Sequence, residues 1–231
     1  MTDPIYPLAK EAARRDYYRS RPIAWITDYT YVEPESLVWP DARPLADAAQ
    51  SVVKSPETLL LGEVAVGKTI LLAALSLWFA DTNPDGRVEV FAHEARPFAK
   101  EMERLAHRGG AEGSFVDRHP DAVFLAQRID GEGVSIGVRS YRRYEGEPGV
   151  ASGFASPATL CVVDDAEEAS PAFLRALRRS LTGVRDRLVM AEAIPPRRGV
   201  VVARAYDHPN VVSGEDVVPG AVTRELAGRY S

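Results

Sequence analysis

The 231-residue chain has one cysteine, Cys161, and so no partner for an internal disulfide. That excludes a disulfide-stapled scaffold and fits a reducing cytosol. It also lacks an apolar run of membrane-spanning length. The longest, "TILLAALSLWFA" at residues 69–80, falls short of the ~20 residues a spanning helix needs. The opening "MTDPIYPLAKEAARRDYYRSR" has no apolar segment of the signal-peptide kind, so no secretory leader is expected. Histidines are few, and His93, His107, His119 and His208 show no zinc-ligand spacing. Lysine is scarce as well: of 28 basic residues only Lys10, Lys54, Lys68 and Lys100 are lysines. Against 33 acidic residues the net charge is −5, so the molecule as a whole does not attract nucleic acid. Any DNA contact is expected from a local patch.

What is present is the composition of a globular protein, 45% hydrophobic and 26% charged. The length suits one sizeable α/β domain or two small ones. Residues 1–50 read as a helical and irregular lead-in packing on the core, with Trp25, Tyr29, Tyr31 and Trp39 as aromatic anchors. Residues 51–206 alternate strands and helices. "TLLLG", "RVEVFAH", "ATLCVVDD", "DRLVMAEA" and "GVVVARAY" read as strands, and "AVFLAQRI" and "GVSIGVRS" as two strands joined by the turn "DGEG". Helices are expected over 68–80, in "RPFAKEMERLAHR", and in "PAFLRALRRSL" with Ser170 as its cap. Interleaving of this kind predicts a three-layer α/β domain with a mostly parallel central sheet. Residues 207–231 read as a polar tail or linker.

One stretch carries specific chemistry. "GEVAVGKT" matches G-x-x-x-x-G-K-[ST] through Gly62, Gly67, Lys68 and Thr69, with Glu63, Val64, Ala65 and Val66 between them. Glycines let backbone amides turn inward around a phosphate, and the following helix aims its N-terminal dipole at the same anion. Lys68 is then an exposed loop cation for the β- and γ-phosphates, and the Thr69 hydroxyl is a ligand for Mg2+. With a strand before the loop and a helix after it, the pattern predicts a P-loop that binds ATP.

Such a site needs a further carboxylate for Mg2+ at the end of a buried strand. "LCVVDDAEEAS" supplies Asp164 after an apolar run. Asp165 follows, where many P-loop ATPases place the glutamate that activates the attacking water, and Glu167 and Glu168 are alternates for that role. Cys161, inside the strand, reads as core.

Several stretches together resemble the N-terminal ATPase domain of phage terminase large subunits, the motors that package double-stranded DNA. They are "RPIAWITDY", "VGKTILLAALSLWFADTNPDGRVEVFAHEARPFAKEM", "SGFASPATLCVVDDAEEASPAFLRALRRSLTG" and "HPNVVSGEDVVPGAVTRE", covering about residues 20–226. The resemblance implies an ATP- and Mg2+-dependent motor with Lys68 and Asp165 catalytic. It implies double-stranded DNA, a portal protein and a small terminase subunit as partners, a homo-oligomeric ring when active, and the cytoplasm of an infected bacterial host as location.

The departures are specific. Asp165 stands where the family carries glutamate, Ala193 stands where a coupling motif ends in asparagine, and the loop has no arginine. No nuclease domain is expected in this chain. Two other functions suit the same motif: an AAA-type helicase loader or initiator ATPase, and a degenerate assembly module that binds nucleotide without turnover. The arginines of "RSYRRYEGE", "RALRRSLTGVRDR" and "PPRRG" are candidates for DNA-backbone contact or a trans-acting finger, against the plainer reading of solvated faces.

Overall fold

Runs of Leu, Val and Ile without helical periodicity favour strands buried on both faces, and the structure places them so. The computed structural model describes residues 5–30, 49–62, 67–144, 156–193 and 200–204. The anchors Tyr31 and Trp39, loop residues 63–66 and the tail 207–231 lie outside these.

Eight strands form one sheet in the order β3-β4-β5-β2-β6-β7-β1-β8. They are β1 (Glu57–Gly62), β2 (Arg87–Ala92), β3 (Val123–Leu125), β4 (Arg128–Gly131), β5 (Val134–Ser140), β6 (Thr159–Val163), β7 (Arg187–Ala193) and β8 (Val200–Arg204). The five central strands, β5, β2, β6, β7 and β1, run parallel. Antiparallel β4 and β3 extend one edge, and antiparallel β8 closes the other. The sequence reading of 122–129 as a single strand is corrected. It breaks after Leu125 into β3 and β4, which pair with each other, and the hairpin to β5 starts from β4.

Side chains alternate across the sheet, and each face has its own core. Leu60, Val88, Val90, Leu160, Val162, Val189 and Ala191 face helices α1 (Ile5–Arg19), α2 (Pro22–Thr30), α3 (Lys68–Thr82) and α4 (Ala95–Ala106). Leu59, Phe91, Cys161, Val163, Leu188 and Met190 face the other way, against Phe173 and Leu177 of α6 (Pro171–Ser180). A short helix, α5 (Phe115–Arg118), lies between α4 and β3 in sequence. The result is an α/β fold with helices on both faces of a mostly parallel sheet.

Helix α3 is apolar nearly all round, as suits a helix enclosed by the sheet and three other helices. Its one acidic side chain, Asp81, is fully buried. Asp81 accepts from Arg14 at 2.8 and 2.9 Å, Trp25 Nε1 at 2.6 Å and Arg118 at 3.2 Å, with His119 Nε2 at 2.9 Å. Burial alone would raise its pKa. The His119 bond and the two guanidinium groups outweigh burial and hold the carboxyl well below its usual range. This one carboxylate ties α1 and α2 to the helix that leads out of the glycine loop. Among the described residues no helix is long and apolar enough to cross a membrane.

Candidate functional site

In a parallel sheet all central strands end on the same side, and loops leaving those ends meet there. β1 ends at Gly62, which pairs with Ala193 at the end of β7. After residues 63–66 the chain re-enters the described structure at Gly67, with φ 90°, and α3 begins at Lys68. A β-carbon at Gly67 would be strained, so glycine is what lets the chain enter the helix this way.

β6 lies two strands from β1, with β7 between them. Asp164 directly follows β6, and its amide donates to the Phe91 carbonyl at 2.9 Å, which prolongs the ladder and fixes the side chain's origin. The Thr69 hydroxyl donates to Asp164 Oδ2 at 2.9 Å across 95 residues of sequence. Asp164 is 5% exposed, and its Oδ1 has no hydrogen-bond partner among the described residues. Burial first, and the neighbouring Asp165 charge second, push its pKa up to about 6 against the pull of Thr69 and Lys68.

Lys68 is buried, 7% exposed, and this corrects the expectation of an exposed loop cation. Burial lowers its pKa, and the charges of Glu167, Asp164 and Asp165 oppose that shift.

Asp165 is exposed and left-handed, φ 53° and ψ 51°, unlike any other non-glycine residue described. Asp tolerates that region better than most residues. Its carbonyl accepts from the Tyr141 hydroxyl at 3.0 Å and the Glu168 amide at 3.0 Å, which pins the kink. Glu167 and Glu168 are exposed on the 3-10 turn that follows, Ala166–Glu168. The structure therefore brings Lys68, Thr69, Asp164, Asp165 and Glu167 together. The charges of Asp165, Glu168 and Glu167 also act on the Tyr141 hydroxyl. Glu63, Val64, Ala65 and Val66 lie outside the described residues.

The arginine-rich stretches divide. Arg178 pairs with Glu57 at 2.7 Å, Arg139 with Glu89 at 3.2 Å, and Arg187 donates to three backbone carbonyls. These serve the fold. Arg142 and Arg143, in the 3-10 turn after β5, are exposed at the same sheet edge, and Arg175 and Arg179 are exposed on α6. Arg197 and Arg198 lie outside the described residues.

No protein-family model and no curated protein matches the chain.

One carboxylate the sequence reading passed over is Glu192, next to last in β7 and paired with Leu61 of β1. It is 6% exposed, and its Oε2 has no hydrogen-bond partner among the described residues. Burial, then the charge of Glu167, raise its pKa to about 7 against Arg178. The available signal was an acid inside the apolar strand "RLVMAEA", at the end that points toward the loop.

Proposed function

We propose that this chain binds ATP with Mg2+ at the C-terminal edge of its sheet and hydrolyses it as the motor of double-stranded DNA packaging into a phage capsid. The observation that carries the nucleotide reading is the Thr69–Asp164 bond with the unpartnered Asp164 Oδ1 beside it. A hydroxyl at a helix start and a buried acid at a strand end, joined at one point, form the donor set a phosphate-bound Mg2+ takes. Among the described residues no three His, Cys, Asp or Glu side chains converge as a self-sufficient metal cage. That suits an ion completed by phosphate oxygens and water.

In this reading Lys68 binds the β- and γ-phosphates, and the first amides of α3 face the same anion. Thr69 and Asp164 hold Mg2+, which neutralises charge building on the phosphates. Asp165, with Glu167 and Glu168 beside it in sequence, heads the exposed acids at the mouth. The packaging role, with a portal protein and small terminase subunit as partners, a ring of copies and the infected host's cytoplasm as location, is supported by the terminase-like stretches described above. Exposed Arg142, Arg143, Arg175 and Arg179 offer local cation density on an acidic molecule.

The test is binding of a fluorescent ATP analogue by wild type and Lys68→Ala, followed by ATP turnover with and without linear duplex DNA at two salt concentrations. Expected are Mg2+-dependent binding that Lys68→Ala loses, and a turnover that duplex DNA raises and salt suppresses. Equal affinity in a folded Lys68→Ala protein would refute the site. Binding without turnover, even with DNA, would select the nucleotide-binding assembly module, a reading that the solvated position of Asp165 favours.

A further inference from the structure

Resting on the nucleotide reading above, we propose that Glu192 is the general base of this site, accepting the proton of the water that attacks the terminal phosphate. Three features of the fold point to it. First, β7 lies between β1, which leads into the glycine loop, and β6, which leads into Asp164. Glu192 sits at the loop end of β7, opposite Leu61 and one residue before the Gly62–Ala193 pair. Second, it is 94% covered, and one carboxylate oxygen lacks a partner among the described residues. A buried acid left so costs stability that a purely structural position would not retain. Third, the charge of Glu167 acts on both Lys68 and Glu192.

The exposed acids are poorer candidates. Asp165, Glu167 and Glu168 are all exposed to water. Glu192 is held by a strand and screened from water, and its raised pKa makes it a stronger base near neutrality. Its charged neighbours are Glu167 from the turn after β6 and Arg178 from α6. In the step itself, the water oxygen forms a bond to the γ-phosphorus, and the bond from that phosphorus to the β,γ-bridging oxygen breaks. The bridging oxygen leaves on ADP with the electron pair, and one water proton moves to Glu192. Glu192 then returns the proton to solvent or to product phosphate, so nothing is oxidised or reduced.

The experiment compares wild type, Glu192→Gln, Glu192→Asp and Asp165→Ala as full chains with three readouts: analogue binding with Mg2+, ATP turnover, and thermal melting without nucleotide. Expected for Glu192→Gln is analogue affinity within about threefold of wild type and turnover down roughly 10²–10⁴-fold. Its nucleotide-free melting temperature should rise by about 2 °C or more, because the amide removes a buried charge. Glu192→Asp should restore part of the turnover, and Asp165→Ala should lose less than Glu192→Gln. Wild-type turnover by Glu192→Gln overturns the proposal, and so does a loss accompanied by a lower melting temperature, which marks a structural role. Binding without turnover by wild type, with DNA present, also overturns it while the binding site stands. Failure of wild type to bind the analogue overturns the nucleotide reading instead.

Discussion

Replacing Asp164 with asparagine should stabilise the nucleotide-free protein at neutral pH and abolish its response to Mg2+ and nucleotide. Asp164 is buried, with one oxygen bonded to Thr69 and the other without a partner among the described residues. Burial and the Asp165 charge raise its pKa from 3.8 to about 6. An acid raised on folding contributes stability below its unfolded pKa, and that contribution disappears as pH climbs through the folded value. The wild type should therefore lose stability between about pH 4 and pH 6 and carry the full penalty at pH 8. A rise of about two in pKa, at ~1.36 kcal/mol each, puts that penalty at roughly 3 kcal/mol. Asparagine keeps the shape and an acceptor for Thr69 but has no charge, so it escapes the penalty. Urea unfolding without Mg2+ should show Asp164→Asn more stable by up to about 3 kcal/mol at pH 8, with the gap closing near pH 4. Saturating Mg2+ and an ATP analogue should then stabilise wild type, by about 2.7 kcal/mol at a hundredfold excess over Kd, and leave Asp164→Asn unmoved. A variant no more stable than wild type at pH 8, or a gap that ignores pH, would refute the reasoning.

Lys68→Ala should keep the fold, because burial already penalises that ammonium, and should weaken analogue binding more than tenfold in a fluorescence titration. Asp81→Ala leaves Arg14, Arg118 and His119 around an empty site and should cost about 3–5 kcal/mol in urea unfolding, with the denaturant slope unchanged. Ser170→Ala removes the oxygen that accepts from the Phe173 amide at 3.1 Å and should cost about 1 kcal/mol by the same assay.

Much of the fold was legible because its signals are local. The continuous apolar runs of β1 and β6, the all-round apolar face of α3 and the Ser-Pro start of α6 each follow from side chains within a few residues of one another. The break between β3 and β4 was not legible. Ala126 and Gln127 carry no turn signal, and the break exists because β4 pairs with both β3 and β5.

The site divides along the same line. The glycine spacing, Lys68, Thr69 and Asp164 stand in the sequence as a pattern, since phosphate and metal chemistry demands those residue types. The strand order β6-β7-β1 decided that Thr69 and Asp164 meet. Burial decided that Lys68 is enclosed, that Asp165 is exposed and that Glu192 is hidden. Asp81 shows the same limit, because its partners Arg14, Trp25, Arg118 and His119 come from residues 37 to 67 positions away. Side-chain type and local spacing specify an element and its chemistry. The free energy of a charge depends on what the rest of the chain packs around it, and that is settled only when distant segments come together.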